Sequence, residues 1–264
     1  MRHALYVAPF GELSDPRAVV ELAIAAEESG WDGLFLWDHI WRPPERSQSV
    51  GDAWVTLSAI AARTTRLRIG PMVVPLARRR PQKVARESVA LDYLSGGRVT
   101  LGVGLGVDTG GELQRFGEVA DEVERGAVLD EALSVLLALW SGDEVHHAGL
   151  HFTVEGVAFR PMPLQQPRIP VWGAVRGTSG AKPLRRAAQL DGVFPVRTTN
   201  EDLKRMLEVI GDVRGSLDDF DVAMFESTGE PVDLADLGVT WSIRALEEGV
   251  SRDRANQIAS TPPH

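Results

Sequence analysis

No cysteine occurs among the 264 residues of the chain, which excludes disulfides, thiolate nucleophiles and thiolate metal sites together. No apolar run approaches the roughly 20 residues that a membrane span needs. The first residues carry no signal-peptide pattern, so a soluble cytoplasmic protein that enters no membrane is the expectation. Basic charge is also short. Lysine and arginine number 28 against 37 acidic residues, a net charge of −9. With no basic face to offset it, nucleic-acid binding is not expected. Neither a G-x-S-x-G elbow nor an H-E-x-x-H run is present, so those hydrolase classes lack support. No stretch rich in glycine, serine or proline marks a linker, and no segment is of low complexity.

What is present can bury a core: 44% of residues are hydrophobic and 25% charged. The apolar run Gly33-Leu34-Phe35-Leu36-Trp37 leads directly into Asp38-His39. Flanked by helical patterns, it reads as a strand buried on both faces. Its carboxyl end is where α/β folds bind ligands. A repeated phrase supports the same layout. Trp31-Asp32-Gly33-Leu34-Phe35 and Leu190-Asp191-Gly192-Val193-Phe194 each follow a helical pattern and open a strand.

Eight candidate strands result, at about residues 4–9, 33–38, 67–74, 99–104, 170–175, 192–196, 221–227 and 239–243. Asp15-Pro16 supplies an N-cap and a first-turn proline to a helix with an apolar stripe of Val19, Leu22, Ala23 and Ala26. Pro81 opens another, carrying Val84, Leu91 and Leu94 to a stop at Ser95-Gly96-Gly97, and Val123 to Trp140 form a longer amphipathic stretch. Alternation of this kind predicts an α/β fold, a closed (β/α)8 TIM barrel over a doubly wound sheet. Residues 1–264 are read as a single domain, with a hairpin and proline-rich excursion over 141–170.

Five clusters are weighed for chemistry. Asp38 and His39, followed by Trp41, Arg42 and Arg46, offer a proton-transferring imidazole beside a carboxylate, or merely a capped loop. Gly102-Val103-Gly104-Leu105-Gly106 fails the dinucleotide spacing, because Val107 and Thr109 occupy the possible third glycine positions. Those glycines either let a flat ring approach the backbone or turn a barrel corner. Arg176-Gly177-Thr178-Ser179-Gly180-Ala181-Lys182 resembles an anion loop with free N–H groups, or a simple turn. In Arg78-Arg79-Arg80, at least two side chains are expected in solvent. His146, His147 and His151 lack a completing ligand set, with a turn expected at Gly149, so no metal site is expected.

Taken together, the phrases resemble the luciferase-like monooxygenase superfamily of flavin- and deazaflavin-dependent barrels. The resemblance rests on residues 25–33, Trp37-Asp38-His39, Arg68-Ile69-Gly70-Pro71-Met72-Val73, residues 80–87, residues 94–104, residues 168–172 and residues 191–195, in consistent order over about residues 4–200. It implies a barrel holding an isoalloxazine-type ring at its carboxyl end, against a bulge at Met72-Val73 that often contains a non-proline cis peptide. It implies Gly104, Leu105 and Gly106 beneath the ring's tail, and a phosphate near Arg176, Gly177, Thr178, Ser179 and Gly180. It also implies His39 as the hydrogen-bonding or proton-delivering group, Asp38 as its orienting neighbour, and Trp41 as an apolar wall.

Asp-His at the second strand end is similar to the users of coenzyme F420, which is favoured slightly over FMN. Against this, the F420-dependent sugar-phosphate dehydrogenases place a glutamate just past the fourth-strand glycines, where this chain has Val107; Asp108 or Glu112 are the available substitutes. The implied function is hydride transfer or monooxygenation on a small organic substrate. A homodimer and a flavin or F420 reductase that supplies reduced cofactor are the implied partners. The chain is shorter than full-length members, which suggests an open pocket. The alternatives are a flavin-binding barrel without catalysis and a metal-dependent barrel hydrolase, although only Pro9-Phe10-Gly11 follows the first strand where such hydrolases present paired histidines.

Overall fold

The computed structural model describes all residues except 44, 46–48, 109, 178–179, 227–233 and 264. Elements are numbered in chain order. Strand β1 (Arg2–Val7) leads to helix α1 (Pro16–Glu28), where Asp15 accepts from the Arg17 amide and Pro16 takes the first turn. Strand β2 (Gly33–Leu36) precedes α2 (Ala53–Ala61), and Asp52 caps that helix through the Val55 amide. Strands β3 (Arg68–Pro71) and β4 (Val74–Pro75) flank a cis peptide at Met72-Val73, where the family resemblance puts one. Helix α3 (Pro81–Ser95) begins on its proline and stops at Gly96, whose φ of 68° suits a residue without Cβ. Then come β5 (Leu101–Gly104) and the long α4 (Glu122–Trp140).

Strands β6 (Glu144–Ala148) and β7 (Thr153–Ala158) pair antiparallel as a hairpin outside the main sheet. Its turn hangs on one carboxylate: Glu131 of α4 accepts from the amides of Leu150, His151 and Phe152 and meets His147 Nε2 at 3.0 Å. The main sheet resumes with β8 (Val171–Arg176), α5 (Ala181–Ala187), β9 (Gly192–Val196), α6 (Asn200–Arg214), β10 (Asp221–Phe225), β11 (Trp241–Ala245) and α7 (Arg252–Ala259).

Hydrogen bonding runs in the order β3-β2-β1-β11-β10-β9-β8-β5-β4, with all neighbours parallel. Because β3 and β4 are two halves of one interrupted strand, the order closes on itself as eight staves. The Thr100 amide completes the ring by donating to the Ile69 carbonyl at 2.9 Å. Gly70 permits that closure, since a Cβ there would lie 1.8 Å from the Thr100 carbonyl oxygen. This is the (β/α)8 barrel that the alternation predicts.

Period-two burial explains the two cores. Ala4, Tyr6, Phe35, Trp172, Phe194, Trp241 and Ile243 fill the barrel lumen, while Leu5, Val7, Leu34 and Leu36 meet the surrounding helices. The repeated Asp-Gly phrase has a packing cause at both copies. Asp32 accepts from the His3 amide at the start of β1, and Asp191 accepts from the Val171 amide at the start of β8. The glycine that follows makes room for a lumen tryptophan: a Cβ on Gly33 would lie 3.0 Å from Trp241, and one on Gly192 2.6 Å from Trp172. Two positions assigned to apolar helix faces are instead exposed. Leu94 and Val123 sit at 49% and 82% exposure, the latter because the first turn of α4 rises at the rim of the barrel mouth.

Candidate active site

A cavity of about 860 Å³ opens at the carboxyl ends of the strands, within the size range of small-molecule sites. Its floor is apolar: Tyr6, Trp37, Val73, Ala174, Val196 and Phe225 line it and pack on the lumen core. Tyr6 contacts three of its aromatic neighbours, at 5.4 Å from Trp37, 5.6 Å from Phe194 and 5.2 Å from Phe225 between ring centroids. Burial pushes its phenol pKa up, so the hydroxyl stays neutral there.

The polar wall gathers around His39. Its Nδ1 lies 2.6 Å from Glu112 Oε2, and among the described residues its Nε2 has no hydrogen-bond partner. Phe10 and Trp37 flank the imidazole at centroid distances of 5.8 and 5.7 Å. Glu112 is 5% exposed. Its other oxygen accepts from the Ile40 amide at 2.5 Å, the Trp41 amide at 3.3 Å and Arg78 Nη1 at 2.6 Å. Burial by itself would raise the Glu112 pKa. The His39 hydrogen bond and charge, the Ile40 amide and Arg78 outweigh it and hold the carboxyl down at about 2.

Asp38 and His39 diverge at the strand end. Asp38 is 5% exposed, and its carboxylate is engaged not by the imidazole but by Arg79 at 2.8 and 3.0 Å and Trp54 Nε1 at 3.4 Å. Glu112, and not Asp38, is the acid that meets the His39 ring. The three consecutive arginines also depart from expectation. Only Arg80 is exposed. The Arg78 side chain is 4% exposed and that of Arg79 19%, since each neutralises a buried carboxylate. A run of like charges reads as solvated only when its partners, here 41 and 34 positions away in sequence, are invisible.

The glycines in and just after the fourth stave pack against the bulge. A Cβ on Gly104 would lie 2.8 Å from Val73 Cγ1, one on Gly106 2.7 Å from Pro75 Cβ, and one on Gly102 2.6 Å from Met72 Sδ. Met72, Val73, Gly104, Leu105 and Gly106 thus form one interlocked wall of the cavity. Arg176 joins the lining beyond it and approaches Glu122 at 3.5 Å. Lys182 and Arg186 both pair with Asp130. Gly177 packs on the 197–202 turn and lies outside the lining, as does Gly180. Trp41 is likewise outside it, stacked beneath the Arg115 guanidinium at 4.9 Å; Trp37 provides the aromatic wall. Arg46, Thr178 and Ser179 lie outside the described residues. His146 and His147 bind Glu144 and Glu131 separately. Among the described residues no three metal-ligating side chains converge.

A flat tricyclic ring suits this cavity on two counts. The floor is aromatic and aliphatic, and Trp37 Nε1 is a buried donor without a partner among the described residues. Beside it, His39 Nε2 offers a polar contact at the edge. Arg197, held at a φ of 51°, also reaches the lining. Arg42 is already committed to Glu248, at 2.7 and 2.8 Å.

Comparison with known proteins identifies the class. The model of the luciferase-like monooxygenase family matches residues 4–224, so the chain belongs to that family. Over 196 residues it is 36% identical to an F420-dependent glucose-6-phosphate dehydrogenase of Gordonia bronchialis, covering 73% of this chain and 56% of that protein. The enzyme of the same name from Mycobacterium tuberculosis is 34% identical, with 71% and 55% covered. The chain therefore spans about half the length of the curated relatives it matches. Among solved structures, a monooxygenase from Streptomyces bottropensis superposes with a TM-score of 0.79 at 18% identity, covering 98% of this chain and 96% of that one. The coenzyme F420 dependent tetrahydromethanopterin reductase of Methanopyrus kandleri gives 0.77 at 18% identity, covering 98% and 97%. These two likenesses establish the fold. Among the described residues no helix is long and apolar enough to cross a membrane.

Proposed function

We propose that the protein is an oxidoreductase that uses F420, in preference to FMN, to act on a small organic molecule. The observation that carries this reading is the His39-Glu112 pair, set in the wall of an aromatic-floored cavity beside the Met72-Val73 bulge. The F420 preference is supported by the names of the similar curated proteins. When bound, the cofactor supplies the hydride or oxygen chemistry, and the protein supplies position, charge and exclusion of water.

The residues divide that work. Met72 and Val73 back the ring, and Gly104, Leu105 and Gly106 support the wall beneath its tail. Tyr6, Trp37 and Phe225 keep water from the reacting face. Glu112 holds a proton on His39 Nδ1, which leaves Nε2 to hydrogen-bond or move a proton at the substrate oxygen. Asp38 ties the strand end to Arg79 through its carboxylate and to Arg78 through its main-chain carbonyl. Arg176 with residues 177–180 is the proposed phosphate end. Residues 1–264 would work as one domain, as a cytoplasmic homodimer, with a flavin or F420 reductase supplying reduced cofactor.

Titrating the purified protein with F420 and with FMN, by fluorescence quenching under the same conditions, tests the reading. Tighter binding of F420 supports it as stated. Tighter FMN binding moves it to the flavin branch, and binding of neither overturns it.

A further inference from the structure

Among the described residues, the arginine that touches the histidine's partner is Arg78. Its side chain is 4% exposed and makes two bonds of different kinds. Nη1 donates to Glu112 Oε1 at 2.6 Å, and Nη2 donates to the Asp38 main-chain carbonyl at 2.9 Å. It thereby links three segments that converge only at the mouth of the barrel: the end of β2, the turn after β4, and the loop after β5.

Charge balance gives that link a consequence. Around the imidazole, Asp38 is matched by Arg79 at 2.8 Å, with Arg78 farther off at 3.8 Å, and Arg42 is matched by Glu248. The Phe10 and Trp37 rings that flank it are uncharged, and the Tyr6 phenol is kept neutral by burial. Among the described residues, Glu112 is matched by Arg78 alone, apart from His39 itself. An uncompensated buried carboxylate 2.6 Å from Nδ1 would favour a persistent imidazolium, and a proton so held is a poor one to exchange with substrate.

We propose that Arg78 is a positioning residue. It balances the Glu112 charge and fixes that carboxylate to the β2 end, so that Glu112 orients the imidazole without drawing a permanent second proton onto it. This rests on the reading of His39 as the proton-handling group, but it concerns the protein without cofactor and is tested there.

The experiment follows the His39 ring by ¹H–¹⁵N NMR across pH in the cofactor-free protein, with Arg78→Met, Arg78→Gln and Arg78→Lys beside the parent. The expected result is a His39 titration midpoint at least one pH unit higher in the Met and Gln variants. Arg78→Lys should return it to within about 0.3 unit of the parent. An unmoved midpoint in a folded Met or Gln variant overturns the proposal, as does a midpoint in Arg78→Lys that matches Arg78→Met. If neither the Met nor the Gln variant folds, Arg78 is a structural residue and the proposal fails. Failure of the parent to bind F420 or FMN would remove the oxidoreductase reading and leave the titration result standing.

Discussion

His39 Nδ1 and Glu112 Oε2 lie 2.6 Å apart, although 73 positions separate them in sequence. The pair arises because β2 and β5 deliver their following loops to the same end of the barrel, with the β3–β4 stave between them. Glu112 fixes which ring nitrogen faces the carboxylate, and thereby which one faces the cavity.

Replacing His39 with asparagine is therefore expected to lower kcat by about 10²- to 10⁴-fold, the usual worth of a positioned acid-base group. The affinity for cofactor should change much less, because the ring's apolar floor stays intact. Steady-state assays with reduced and oxidised cofactor, together with a binding titration, check this. Full turnover with unchanged affinity in His39→Ala would remove His39 from the chemistry.

Glu112 also links stability to pH. Its folded pKa, about 2, is depressed below the ordinary glutamate value. The stabilisation is thus complete above about pH 4.5, the unfolded value, and is lost as pH falls towards 2. Urea unfolding at intervals from pH 6 to pH 3 should show stability falling at the acid end. In Glu112→Gln that fall should be shallower, while the stability at pH 6 is already reduced by the lost charge-assisted bonds. An acid limb as steep as that of the parent would mean that other carboxylates control it.

The sequence makes the barrel legible and the site only half so. All eight staves fall about where alternation of buried strands and helices puts them, most plainly at the apolar run of β2 and least plainly at the last two, where Ser242 and Arg244 interrupt the apolar run of β11. Asp15-Pro16 and Pro81 begin helices for local reasons that need no tertiary knowledge. The cis peptide at Met72-Val73 follows from the family's phrases, not from any local rule. Partnerships across the barrel mouth are a different matter. Arg78 and Arg79 read as solvated because nothing near them in sequence announces Glu112 or Asp38. Glu112 is visible only as a carboxylate within reach of the fourth stave, and its meeting with His39 depends on how the connection between β5 and α4, residues 105–121, folds back. Adjacent Asp38 and His39 suggest a pair, yet consecutive residues leaving a strand face opposite ways.

Asp38 should accordingly behave as a structural residue. Its carboxylate holds Arg79 in a two-point contact, and Asp38→Ala would leave that arginine, among the described residues, with Glu87 as its one acidic partner at 3.4 Å. Breaking one side of such a buried pair typically costs about 3–5 kcal/mol. Thermal or urea unfolding should show a loss of that order, and Arg79→Met a comparable one. The double variant should cost less than the sum of the two, since neither leaves a second unpaired charge. Strict additivity would mean that the two side chains do not interact in solution.

The last prediction concerns the wall behind the proposed ring. Gly104→Ala places a methyl group 2.8 Å from Val73 Cγ1 and 3.1 Å from Ala174 Cβ. Overpacking of this kind costs about 1–3 kcal/mol, and it would push the bulge towards the cavity. Stability and cofactor affinity should fall together. Because the obstructing atom belongs to a side chain, Val73→Ala in the same protein should restore much of the stability. Gly70→Ala makes the contrast: its methyl would meet the Thr100 main-chain oxygen at 1.8 Å, an atom no substitution can remove. That variant should not be rescued by any neighbouring change and should accumulate poorly as folded protein. Comparing unfolding midpoints and cofactor affinities of Gly104→Ala with and without Val73→Ala decides the matter. If Val73→Ala gives no recovery, the glycine is required for a reason other than the bulge.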